Sequence, residues 1–211
     1  EAGLVKQAIL YWQEAGQRAS QRSAHVEAIS HLNKGLELLK SLPDTLERTQ
    51  QELTLQMALG APLMATKGFA APEVGKAYAR ARELCQALGE TPQLFPVLHG
   101  LWLFYTVRAE HKTAREVGKL CLSLAQSTRD LTFLVEAHYA LGNNLFYLGE
   151  FAPAREHLEQ SITLYDSRQS HSHAFLYTQD TKVICLSRES WVLCFLGYPD
   201  QALELIHKAI A

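Results

Sequence analysis

Apolar residues recur three and four positions apart along nearly the whole chain, within stretches rich in Ala, Leu, Glu, Gln, Lys and Arg. That spacing keeps one face of an α-helix apolar. No segment alternates β-branched and polar residues with the period of two that a half-buried strand needs. Prolines and glycines fall mostly between these stretches, and start signals mark several of them: Asp44 with Glu47, Thr113 with Glu116, Thr91 before Pro92, and Pro72, Pro153 and Pro199 at first-turn positions. Reading between the marks predicts about ten helices, near residues 4–21, 25–41, 45–66, 72–89, 92–109, 113–127, 131–148, 151–166, 181–196 and 199–210.

The helices resemble one another at a fixed offset. A small residue, Gly142, is followed twelve positions later by Ala154 and then by Leu158 and Ser161. The same offset joins Gly16 to Ala28, Trp102 to Ala114 and Ser190 to Ala202, while Gly60 and Ala77 stretch it to seventeen. Five helical hairpins follow, each with small residues where its two helices cross, because only small side chains let the backbones approach there.

Trp12-Ala15-Gly16-Ala19 with Ala28-Leu32-Gly35, Leu141-Gly142-Leu145 with Ala154-Leu158-Ser161, and Ala202 with Ile206 and Ala209 resemble the tetratricopeptide repeat. The resemblance implies an all-α, right-handed α-solenoid of about five such hairpins, one superhelical domain over residues 1–211. Successive Ala28, Ala77, Ala114, Ala154 and Ala202 lie 49, 37, 40 and 48 residues apart. These intervals exceed the ~34 residues of a regular repeat, so an irregular superhelix is expected.

A second, narrower resemblance rests on the segments 15–19, 36–44, 60–68 (Gly60-Ala61-Pro62-Leu63-Met64-Ala65-Thr66-Lys67-Gly68) and 197–203. They are similar to the C-terminal repeat region of large bacterial predicted ATPases, often fused to adenylate/guanylate cyclase or kinase domains. This implies a fragment of a larger multidomain protein, the regulatory arm of a cytoplasmic signalling chain whose upstream NTPase or cyclase domains are candidate partners. The start at Glu1, directly in helical pattern, fits the same expectation.

Charge and composition narrow the classes further. Twenty Lys and Arg against 22 Asp and Glu give a net charge of −2 and no run of like charges, which argues against nucleic acid as a partner. The longest apolar stretch, Leu94 to Val107, is interrupted by His99 and falls short of the ~20 residues of a membrane span. Cys85, Cys121, Cys185 and Cys194 are widely spaced within apolar helical pattern and read as small core residues of a reducing compartment. Trp12, Trp102 and Trp191 recur on first helices, and at least two are expected in the core.

Catalytic and cofactor signatures are missing from the sequence. No glycine pattern cradles phosphate, and no nucleophile elbow is present. The best metal candidate is His171 and His173 with Asp180 nearby, in a polar connection more consistent with solvated histidines. Glu110-His111 and Arg129-Asp130 fall at turns and read as charged pairs facing water. No enzyme activity and no cofactor are expected.

Function is then sought on the face lined by the first helix of each hairpin. Counting from the crossing residues, the inward positions are Gln13/Gln17, Met57/Ala61, His99/Leu103, Tyr139/Asn143 and Ser187/Trp191, with Thr106, Phe146 and Tyr147 a turn further on. Peptide-binding tetratricopeptide domains clamp a carboxylate with Lys and Asn at such positions, and here only Asn143 matches. The expected occupant is therefore a hydrophobic peptide, a helix or a partner domain. The alternative is a sugar or other metabolite, as in the similar repeat region of a maltotriose-responsive activator, held by Tyr139, Asn143, Trp191 and Gln17. Apolar ends at Leu4, Ile9 and Leu10, or at Leu205, Ile206 and Ile210, are candidate surfaces for homodimerisation.

Overall fold

The computed structural model describes residues 2–89, 91–165 and 180–210. They form α1 (Ala2–Gln21), α2 (His25–Leu39), α3 (Leu46–Lys67), α4 (Pro72–Leu88), α5 (Leu94–Val107), α6 (His111–Thr128), α7 (Leu131–Tyr147), α8 (Phe151–Leu164), α9 (Thr181–Phe195) and α10 (Pro199–Ile210). No strand occurs among the described residues. The helices gather into two compact units, residues 1–108 and 109–211.

Within each unit, consecutive helices pack on one another, and the small crossing residues sit where the periodicity places them. A Cβ on Gly16 would lie 2.6 Å from Leu32 Cγ, and one on Gly142 would lie 2.7 Å from Leu158 Cγ and 3.1 Å from the Ala154 carbonyl. The hairpins α1–α2 and α7–α8 therefore cross at van der Waals distance only because these positions lack a side chain. Ile9, Leu32, Leu39, Leu55 and Val74 form the heart of the first unit. Leu145, Ala154, Leu158, Cys185 and Val192 form a cluster in the second.

Tight turns join the two helices of the later hairpins. The backbone N–H of Glu150 donates to Leu145 O at 2.9 Å and that of Tyr198 to Leu193 O at 2.9 Å, each spanning a glycine of positive φ, Gly149 (78°) and Gly197 (88°). Only a residue tolerant of the left-handed region closes such a turn without strain.

Helix starts depart from the expected marks in three places. Thr45, not Asp44, caps α3, its side chain accepting from Arg48 N at 3.2 Å, so Glu47 sits too early to complete a capping box and pairs with Lys6 instead. Glu110 occupies the N-cap of α6, which places Thr113 inside the first turn. Residues 91–93 turn before α5, so that helix opens at Leu94 rather than at Pro92. Pro72 and Pro199 do open α4 and α10.

Other expectations are corrected by packing. Ile9 is 1% exposed, sealed by the core of the first unit, whereas Leu4, Leu10 and Ile210 are exposed and Leu205 and Ile206 half-buried. Trp102 is buried, but Trp12 is half-buried and Trp191 exposed, so one tryptophan, not two, is a core residue. Asp130 does not simply face water: it caps α7, accepting from Phe133 N at 3.1 Å. Asp180 caps α9 through Lys182 N and Val183 N, while His171 and His173 lie outside the described residues.

Cys194 is exposed, unlike the other three cysteines. Burial pushes the Cys121 and Cys185 thiols up to about 12 and raises that of Cys85. A thiol-disulfide reagent at pH 8 should therefore label one thiol quickly in the native protein and all four only in denaturant, with Cys194→Ser abolishing the fast phase.

Candidate functional site

The anticipated inward residues divide between the two units. In the first, Gln13 accepts a hydrogen bond from Gln51 Nε2 at 2.6 Å, Gln17 is exposed, and Met57 packs on the cluster of Leu53, Ala81, Leu84, Cys85 and Val97. His99 is buried with its ring 5.0 Å from that of Trp102, and Thr106 is half-buried.

In the second unit the structure brings the remaining candidates together. Tyr139, Asn143 and Tyr147 are spaced four apart on one face of α7, and α9 packs against that helix. Phe146 meets Trp191 at 6.0 Å and Phe195 at 5.8 Å between ring centroids. Phe195 in turn stacks on Phe151 at 4.9 Å, and His111 stacks on Tyr147 at 4.7 Å. Tyr147, Trp191 and Phe195 are nevertheless 46%, 50% and 64% exposed, so the cluster presents aromatic faces to solvent. Ser187 is half-buried on the same helix as Trp191.

Arg188 completes this site. Its guanidinium lies 4.5 Å from the Trp191 centroid, 5.1 Å from that of Tyr147 and 5.2 Å from that of Phe146. Aromatic faces hold a cation there by the ring quadrupole. The neighbouring Glu189 does not neutralise it, because that carboxyl turns toward Arg155, 4.0 Å away, and is pushed up to about 7 by burial and by Glu159. Nε and Nη1 of Arg188 are shielded from water and have no hydrogen-bond partner among the described residues.

Asn143 shows the complementary deficit. It is 3% exposed, and its Oδ1 is shielded and accepts no hydrogen bond among the described residues. Arg188 overlies the ring of Tyr147, one helical turn beyond Asn143 on α7. Buried donors and acceptors left unpaired are costly, so both groups are unusual in a well-packed helical hairpin stack.

The sequence register does not single out Arg188, because it points Ser187 and Trp191 inward and the carboxylate-clamp pattern calls for lysine at such positions. An arginine one residue off the register, among otherwise uncharged inward residues, is the signal that marks it. Among the described residues no three His, Cys, Asp or Glu side chains gather as metal ligands, and no helix is long and apolar enough to cross a membrane.

Residues 135–167, which cover most of α7 and all of α8, match the tetratricopeptide repeat model. Known structures extend the likeness across the chain. The apo form of RapI superimposes with a TM-score of 0.79 at 14% identity, covering 95% of this chain and 68% of that one. A Podosopora anserina putative kinesin light chain with nearly identical TPR-like repeats gives 0.71 at 15% identity, covering 95% and 92%. A Rap protein in complex with Competence and Sporulation Factor gives 0.69 at 14% identity, covering 96% and 53%. The fold is tetratricopeptide-like. An uncharacterized protein of Rhizobium meliloti (strain 1021) is 26% identical across 100% of this chain, which spans 20% of that protein's length.

Proposed function

We propose that this chain is a non-catalytic protein-interaction scaffold whose second unit binds an extended peptide segment of a partner across α7 and α9. The observation that carries this reading is the exposed aromatic cluster of α7 and α9 with Arg188 over its rings, where Arg188 Nε and Nη1 and Asn143 Oδ1 have no hydrogen-bond partner among the described residues. Asn143 and Arg188 would hydrogen-bond the peptide backbone, while Tyr147, Trp191 and Phe195 would pack on the apolar side chains beside it. That a Rap protein of similar fold has been solved with Competence and Sporulation Factor supports ligand binding by this architecture. In the parent chain the scaffold would serve as the cytoplasmic regulatory arm of a signalling ATPase or cyclase, consistent with alignment to one fifth of a much longer protein. A partner that prefers one arrangement of the helices would bias the attached output domain by its differential affinity.

Peptides selected on the purified chain from a random display library supply the test. Arg188→Gln should weaken their binding about tenfold, the ordinary loss for a hydrogen bond to a charged group. Asn143→Leu should weaken binding similarly yet raise stability by about 1 kcal/mol, because an unsatisfied buried oxygen is replaced by apolar volume. Selected peptides that bind both variants as well as the unmodified chain would remove the reading. Selective capture of sugars at the same residues would replace the peptide by a metabolite.

A further inference from the structure

A cavity of about 200 Å³ opens in the first unit between α1, the α2–α3 connection and the start of α3. Its floor is apolar: Ile9 and Leu39 are buried there, and Leu42 and Pro43 wall one side. Polar bridges between α1 and α3 span it at two levels. Gln51 donates to Gln13 at 2.6 Å at one, and Lys6 Nζ pairs with Glu47 at 2.7 Å at the other. The second bridge is the weaker barrier, since its side chains are 50% and 71% exposed and such a pair opens at little cost.

Arg48 also lines the cavity. Its Nε is shielded from water without a partner among the described residues, and its Nη1 reaches Asp44 at a long 3.3 Å, where the carboxylate is 90% exposed. A guanidinium placed in this way beside an apolar floor retains donors for an oxyanion. Glu47 and Asp44 balance Lys6 and Arg48 in number, but both pairs lie at the solvent edge, where such pairs exchange readily for a ligand's carboxylate.

We propose that this cavity binds a small monocarboxylic acid, with its carboxylate on Arg48 and Lys6 and its apolar body on Ile9, Leu39, Leu42 and Pro43. Size fits this class. A dry cavity of ~150 Å³ accommodates benzene, so the volume here takes a ring or a chain of about six to eight carbons together with its carboxylate. Polarity argues against a sugar, whose hydroxyls would press without partners against the apolar floor, and the unsatisfied Arg48 Nε calls for an acceptor rather than an amine. The site shares no residue with the α7–α9 face and does not depend on its function.

Calorimetric titration of the 211-residue chain with octanoate and benzoate, with octylamine and octanol as controls, tests the assignment. Octanoate should bind, with amide NMR shifts confined to the stretches around Lys6–Gln13 and Leu39–Gln51. Arg48→Gln should weaken it about tenfold and Arg48→Lys less, because the planar donor fork is lost but the charge is kept. Glu47→Gln should tighten it, since Lys6 is then released to the ligand, and that gain remains readable if Arg48→Gln loses its fold. Failure of both acids to bind at millimolar concentration, equal binding of octylamine or octanol, or octanoate affinity unchanged in both Arg48→Gln and Glu47→Gln overturns it.

Discussion

Replacing Gly100 by alanine should lower the stability of the first unit by about 2 kcal/mol, against the helix-favouring direction of the same change elsewhere. The cause is Tyr78. Its ring lies against the Cα of Gly100 on α5 and against that of Gly60 on α3, so that a Cβ at either position would overlap ring atoms. A ring held on two sides has nowhere to withdraw, and overpacking of this kind costs about 3 kcal/mol. Alanine's better helix propensity returns about 1 kcal/mol of it. In a double-mutant cycle, Gly100→Ala should instead stabilise by about 1 kcal/mol once Tyr78 is Ala, and urea denaturation of the four proteins reads the coupling. Gly118→Ala is the control: its nearest neighbour is the flexible end of Leu141 at 3.1 Å, and this substitution should be near neutral.

The second large effect is a compensation between two titrations in the second unit. His138 Nδ1 lies 2.9 Å from His157 Nδ1, a contact in which one ring donates and the other accepts, so both cannot be charged. Burial and the His157 charge push His138 down to about 4 from 6.5, and burial lowers His157 as well. The unfolded chain takes up these protons before the folded one does. Stability from the histidines is thus fully present above pH 6.5 and is lost as pH falls toward 4. Glu189 acts in the opposite sense, since its carboxyl rises from 4.5 to about 7. Its contribution is present below pH 4.5 and is lost as pH rises through 7. The two slopes overlap between pH 4.5 and 6.5 and should nearly cancel, giving a flat stability profile across that window. Glu189→Gln should expose the histidine slope, with stability rising by roughly 2 kcal/mol across the window. His138→Phe should expose the opposite slope. Urea midpoints at half-unit pH intervals distinguish the three profiles, and parallel profiles would refute the compensation.

Much of this architecture was legible before any coordinates. The helical period and the twelve-residue offset placed ten helices and the close crossings at Gly16 and Gly142, because both depend on side-chain size along a single helix or hairpin. Details decided by a neighbouring element were not. Whether Asp44 or Thr45 caps α3 depends on how the chain leaves α2, and Ile9 is sealed by α2 and α3 rather than by anything on its own helix. The same division holds at the candidate site. Asn143, Tyr139, Tyr147 and Trp191 were found by register, whereas Arg188 enters only because α9 lays its guanidinium over rings of α7. Phe151 and Phe195 join through the fold of a hairpin and a later helix, a pairing no local pattern encodes.

The short turn at Gly149 has a mechanical meaning for that aromatic cluster. Phe146 stands just before the turn and Phe151 just after it, 5.9 Å apart, and Phe195 reaches both. With Glu150 bonded back to Leu145, little slack separates the two helices of the hairpin. A guest wedged beside Trp191 would therefore press on both α7 and α8 through one stack of rings. The hairpin should swing as a single stiff lever, carrying the disturbance along its full length instead of dissipating it in the bend.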